Sequence, residues 1–189
     1  MRVSFARNPY CRIAIALAAL GLCAHTVSAQ LGTFDNEKRV AITHKWTGAR
    51  ADDGRPLVPD EVLSRLKTAS AEEAWGVLRG EGYNYQFEGN WHLVNPSGER
   101  LVGRVVTAQF MPVRPDMNEM INRKGAEEGR VSKGQNSWVI DTLQPGDVLV
   151  VDMFGKIKDG TFAGDNLATA IFTKSKNGLV VNGSVRDVS

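Results

Sequence analysis

Cysteine is almost absent from this chain. Its two cysteines, Cys11 and Cys23, both lie within the first 29 residues. That stretch has the layout of a cleavable secretory signal. Arg2, Arg7 and Arg12 form a basic head with no acidic residue, Ile13 to Leu22 is an apolar run, and Val27-Ser28-Ala29 offers small residues for cleavage after Ala29. From Gln30 onward there is no thiol, which excludes a disulfide framework, a thiolate nucleophile and a cysteine-held metal. The apolar run is too short to span a bilayer comfortably. Leu22 also stands where lipid attachment at Cys23 would need a small residue. The expectation is therefore export, to a periplasm or beyond, with no stable membrane anchor.

An excess of either charge is lacking too. The chain has 23 basic and 21 acidic residues. Three arginines leave with residues 1–29, so 20 basic residues face 21 acidic ones. A near-neutral surface gives no electrostatic reason to expect nucleic acid or an anionic membrane as partner. Histidine is scarce: His44 and His92 have no carboxylate at ligand spacing and read as surface residues. Trp46, Trp75, Trp91 and Trp138 form no stripe, and packing accounts for them. Arg55, Arg100 and Arg104 are scattered and read as a solvated face. There is no G-x-S-x-G elbow, and no glycine-rich phosphate loop. The segment DVLVVDMFGK (Asp147–Lys156) lacks the glycine spacing of a dinucleotide or S-adenosylmethionine site.

What is present is an ordinary globular composition, 42% hydrophobic and 23% charged over 189 residues, enough for one domain. Residues 30–57 are polar and turn-rich and read as an N-terminal extension, with a short helix around Glu37–Trp46; the folded domain, residues 58–189, is expected to begin near Val58. Pro59-Asp60 opens a short helix carrying Val62, Leu63 and Leu66. Ser70 with Glu73 has capping-box spacing and opens a second helix. Leu101–Phe110 reads as a strand, Asp116–Glu128 as a weakly apolar helix, Ser137–Leu143 as a short helix and Asp147–Met153 as a buried strand. A helix over Asp165–Ser175, closed by Asn177-Gly178, and a strand over Leu179–Val181 complete a β-α-β unit. The fold class is α/β, with sites expected at strand ends.

That last unit carries the chemistry. Asp165 opens its helix, and Arg186-Asp187 follows its last strand after twenty intervening residues. The two ends can converge at one edge of the sheet. Carboxylates so placed can hold a hard divalent cation, Mg²⁺ or Mn²⁺, which keeps several waters and polarises a 2-keto oxygen. Arg186 can stabilise a developing enolate oxygen. The N–H groups of Asn166 and Leu167, at the helix start, can bind a carboxylate. Singly, Asp165 reads as a helix cap and Arg186-Asp187 as a surface ion pair worth ~0–1 kcal/mol; together, at this spacing and with the glycines in place, they read as a site. Arg114 and Arg130 flank a Met-rich segment and are candidates for a distal carboxylate, with nothing else in the pattern behind them.

GDNLATAI (Gly164–Ile171) followed by GLVVNGSVRD (Gly178–Asp187) closely resembles the family that joins 4-hydroxy-4-methyl-2-oxoglutarate aldolases to the RraA-like regulators of ribonuclease E activity. Pro145-Gly146-Asp147-Val148 and Leu101–Thr107 are similar to further family landmarks, and the likeness runs over roughly Pro59–Asp187. The resemblance implies a swivelling β/β/α fold in trimers or hexamers, with the site at a subunit boundary. It implies cleavage of 4-hydroxy-4-methyl-2-oxoglutarate, or decarboxylation of oxaloacetate, through a pyruvate enolate. By the same resemblance Asp187 ligates the metal, Asp165 orients metal-bound water, Arg186 contacts the keto oxygen, and the backbone of Gly164, Asp165, Asn166 and Leu167 seats the substrate carboxylate. Family members continue past the Arg-Asp pair, so a domain incomplete at its C-terminus is expected. The competing expectation is a non-catalytic binding or regulatory module that keeps the pocket.

Overall fold

The computed structural model describes residues 35–94, 100–130 and 134–187. The expected signal sequence, its cleavage site and both cysteines lie outside them. Among the described residues the architecture is α/β, with six helices and a three-stranded parallel sheet in the order β1-β2-β3. The elements are α1 (Asn36–Ile42), α2 (Asp60–Leu66), α3 (Ala71–Gly80), β1 (Arg104–Gln109), α4 (Pro115–Glu127), α5 (Gln135–Asp141), β2 (Asp147–Asp152), α6 (Asp165–Ser175) and β3 (Leu179–Asn182). None of these helices is long and apolar enough to cross a membrane.

The core follows from strand alternation. In β2, Val148, Leu149 and Val151 are all buried, as expected of a central parallel strand. β1 alternates strictly, half-buried with exposed. Its register puts Val106 opposite Leu149 and Ala108 opposite Val151, while Leu179 and Val181 of β3 meet the same two residues from the other side. That face packs with Ile140 and Leu143 at the end of α5 and with Ile171 of α6. Burying side chains the size of Leu149 and Ile171 stabilises by ~1.5–3 kcal/mol each. α4 comes close to α5 because Gly125 has no side chain: a Cβ there would run into the indole of Trp138.

Local signals behave as the sequence predicts in several places. Ser70 Oγ accepts from the Glu73 N–H at 3.1 Å and Glu73 Oε2 accepts from the Ser70 N–H at 2.7 Å, completing the capping box of α3. At the end of α6 the left-handed residue is Lys176, φ 54°, rather than Asn177 or Gly178. The buried Ser175 hydroxyl compensates, donating to Ile171 O at 2.8 Å and accepting from the Asn177 N–H at 3.0 Å. The Asn177 amide is then free to donate to Val102 O at 2.8 Å, tying α6 to the start of β1.

The solvated face expected of Arg55, Arg100 and Arg104 holds for Arg100, which is exposed, and is overturned for Arg55 and Arg104. Arg104 is mostly buried and donates to Val58 O at 2.9 Å, Asp60 Oδ1 at 2.8 Å and Pro145 O at 2.7 Å. Arg100 donates to Lys67 O at 3.1 Å and Ala69 O at 3.0 Å. Arg55 lies 3.5 Å from Asp147 Oδ2 and 2.8 Å from Asp53 Oδ2. Burial pushes the Asp53 carboxyl up, but the Arg55 N–H and the charges of Arg55 and Arg39 outweigh it and hold the group below the usual carboxylate range. Arg100 and Arg104 act as multiple donors to carbonyls that end helices and loops, and Arg55 bridges two carboxylates, which no one-dimensional spacing reveals.

Candidate functional site

Beyond Asp152 the chain loops back and runs beside the extension of β3. Thr161 bridges Ser184 in parallel, the Phe162 N–H donates to Ser184 O at 3.0 Å, and the Arg186 N–H donates to Ala163 O at 3.0 Å. Phe162 and Ala163 are 3% exposed, and the Phe162 ring lies 5.5 Å from that of Phe110, just past β1. This anchored run delivers Gly164 to the N-terminus of α6, directly beside Arg186 and Asp187.

The result is an open cleft of about 260 Å³ lined by Asn136, Thr161–Leu167, Arg186 and Asp187. All six sequence-derived site residues, Gly164, Asp165, Asn166, Leu167, Arg186 and Asp187, line it. Gly164 leaves room for the approach: a Cβ there would come within 2.5 Å of Asp187 Oδ2 and 3.1 Å of Arg186 Nε, so those side chains would have to shift. Asp187 adopts the left-handed region, φ 58°, a conformation that costs a non-glycine residue about 1–2 kcal/mol and is found at functional sites more than elsewhere. Arg186 Nε lies 3.5 Å from Asp187 Oδ2, with the two side chains 73% and 54% exposed. At that exposure the pair contributes little to stability, and its charges stay available to a ligand.

Two expectations change in detail. The cap of α6 is Gly164, and Asp165 is the first helical residue. Its Oδ1 accepts from the Asn166 N–H at 2.6 Å, so that N–H is not free as the helix-start argument supposed. Within the helix-start pair, Leu167 keeps its place as an anion donor. Arg114 and Arg130 do not belong to the site. Arg114 pairs with Asp116 at 2.6 Å and Arg130 with Glu128 at 3.0 Å, and neither lines the cleft. Sequence reasoning missed Asn136, Thr161, Phe162 and Ala163. They reach the cleft from α5 and from the returning loop, and no local pattern marks them.

The donor set decides which cation the cleft suits. Among the described residues its acidic members are Asp165 and Asp187, and none of its lining is histidine or cysteine. No group of three or more acidic, histidine or cysteine ligands occurs among the described residues. Such a set does not satisfy zinc. It suits a hard ion that is held by one or two carboxylates and keeps its waters, as Mg²⁺ does. Asp187, drawn against the Gly164 backbone, is the first candidate ligand.

Residues 68–189 match the family model described as RraA-like: Aldolase/RraA. No curated protein matches the chain. Among solved structures it is similar to an uncharacterized protein from Pseudomonas syringae pv. tomato, at 22% identity and a TM-score of 0.49, with 69% of this chain and 51% of that chain covered. The chain spans about half the length of that relative.

Proposed function

Because the chain belongs to the RraA-like aldolase family, we propose that its cleft is the site of a divalent-metal-dependent carbon–carbon lyase acting on a short 2-keto acid. The three-stranded layer is, in this reading, part of the family's swivelling β/β/α fold. The observation that supports it is the convergence of Asp165, Arg186 and Asp187 on one open cleft beside the α6 N-terminus.

Each residue has a definable task. Asp187, with Asp165 close by, would hold Mg²⁺ or Mn²⁺. When bound, the ion supplies Lewis-acid polarisation of the keto oxygen. Arg186 places a fixed positive charge where the keto oxygen gains electron density as the carbon–carbon bond breaks. The start of α6, with the Leu167 N–H and the helix dipole, seats the substrate carboxylate. Asp165 Oδ1 is committed to the Asn166 N–H, which leaves Oδ2 to accept from a water in the cleft. That water can deliver the proton that the pyruvate enolate takes up at carbon. Oxaloacetate would thus give carbon dioxide and pyruvate. An aldol substrate would give pyruvate and a second keto acid.

The test is direct. Purified protein with oxaloacetate and Mg²⁺ is expected to release pyruvate above the metal-only background, and chelator is expected to abolish the excess. Turnover that survives excess chelator would end the metal-dependent reading. A second reading, a binding or regulatory module without turnover, draws on one observation: among the described residues the cleft offers two carboxylates. It predicts Mg²⁺-dependent binding of a 2-keto acid with no pyruvate released.

A further inference from the structure

α5 begins with two neighbouring amides that serve different structures. Gln135 Nε2 donates to Asn118 Oδ1 at 2.9 Å and Asn122 Oδ1 at 3.1 Å, both on α4. Asn136 is half-buried in the cleft wall. Its Nδ2 donates to Phe162 O at 3.2 Å, and its Oδ1 accepts from the Ser137 N–H at 3.0 Å.

The Phe162 carbonyl needs this partner because the parallel pairing slips there. In a regular parallel ladder, a residue whose N–H donates to Ser184 O would receive the Arg186 N–H on its own carbonyl. Here the Arg186 N–H goes one residue further, to Ala163 O. The slip leaves the carbonyl of Phe162 without its ladder partner. Phe162 is 3% exposed, so a carbonyl left without a partner there would be costly. The Asn136 carboxamide meets it while also taking an N–H from the first turn of its own helix. Aspartate keeps the second contact but cannot donate to a carbonyl, and alanine keeps neither.

Resting on the lyase reading above, we propose that Asn136 is a positioning residue for the substrate-carboxylate seat. It holds the slipped register of residues 162–164 and so keeps the α6 N-terminus aimed into the cleft.

The test compares wild type with Asn136→Ala and Asn136→Asp in the full chain. Asn136→Asp retains the contact to the Ser137 N–H, and its charge is favourable in a first helical turn, so folding is preserved. Amide hydrogen exchange of residues 162–168 and of Arg186 is expected to quicken by about tenfold in both variants, the equivalent of one lost hydrogen bond. The rest of the domain should keep its wild-type protection. With oxaloacetate and Mg²⁺, KM is expected to rise by about tenfold in Asn136→Ala and further in Asn136→Asp, with kcat changed less. Unchanged exchange around the cleft, or quickening spread evenly over the domain, overturns the proposal. So does a fall in kcat with KM unmoved. If the wild type releases no pyruvate, the lyase reading fails, while the exchange measurement still decides whether Asn136 holds the register.

Discussion

Both ends of the sheet are furnished with arginine and aspartate, and the two ends do opposite things. At the N-terminal end Asp147 is 1% exposed. It accepts from the Gln144 N–H at 2.8 Å and has Arg55 at 3.5 Å and Arg104 at 3.8 Å. Each of those arginines is also held by other groups, so this end is saturated and closed. At the C-terminal end Arg186 and Asp187 lie 3.5 Å apart in the open, on a backbone in a costly conformation, with a glycine making room beside them. Residue type does not separate a clamp from a site. Burial and spare hydrogen-bonding capacity do.

Four substitutions probe that contrast. The largest effect is expected from Asp187→Ala, which should lower Mg²⁺-dependent pyruvate release by at least ~100-fold while the thermal midpoint stays within a few degrees. A folded variant with wild-type turnover would place the chemistry elsewhere. Asp147→Ala should do the reverse. Removing the acid leaves the Gln144 N–H without its acceptor and takes from Arg55 and Arg104 the buried carboxylate between them, although Asp53 and Asp60 still pair with them, at a cost of about 2 kcal/mol in urea unfolding, and turnover of the folded fraction should be kept. If Asp147→Ala were neutral, the clamp would be ornamental.

Gly164→Ala sits between these. The added methyl group meets Asp187 Oδ2, so turnover should fall roughly 10- to 100-fold by misplacement, with ~1 kcal/mol or less of stability lost. Equal losses in Gly164→Ala and a remote Gly89→Ala would deny Gly164 any special role.

The smallest effect concerns pH. Asp152 accepts from Gln109 Nε2 at 3.0 Å, from the Phe154 N–H at 2.9 Å and from Asn182 Nδ2 at 2.9 Å. The Gln109 bond first, with the other donors, holds its carboxyl below the usual 3.8. The unfolded chain therefore takes up this proton at higher pH than the folded one. The contribution is complete above about pH 3.8 and disappears as pH falls through the folded value. Gln109→Leu should make the thermal midpoint less sensitive to pH below 3.8, as followed by circular dichroism.

Local chemistry was readable wherever one stretch of chain satisfies its own needs. The capping box of Ser70 and Glu73 closes within four residues. The unbroken apolar run of β2 identifies a central strand, and the Asp165 to Arg186 interval identifies the unit that carries the cleft. Asn177-Gly178 pointed to the end of α6 correctly, but the left-handed turn fell on Lys176, because the buried Ser175 hydroxyl satisfies the helix end from inside. Arg104 and Arg55 were misjudged because their partners lie 41 and 92 residues away in sequence. Asn136 could not be found at all, since the carbonyl that it serves is stranded only by a slip in strand pairing.

Sequence alone determined the α/β class, the order and approximate positions of the helices and strands, the family, and the identity of the charged residues at the cleft, because these depend on periodicity and on short or strictly spaced motifs. Tertiary structure alone decided which arginine–aspartate pairs are sealed and which are open, which helix-start N–H groups are already committed, and how Asn136 enters the wall. Those outcomes depend on the order in which strands meet and on the water left between them, and neither is encoded in any local run of residues.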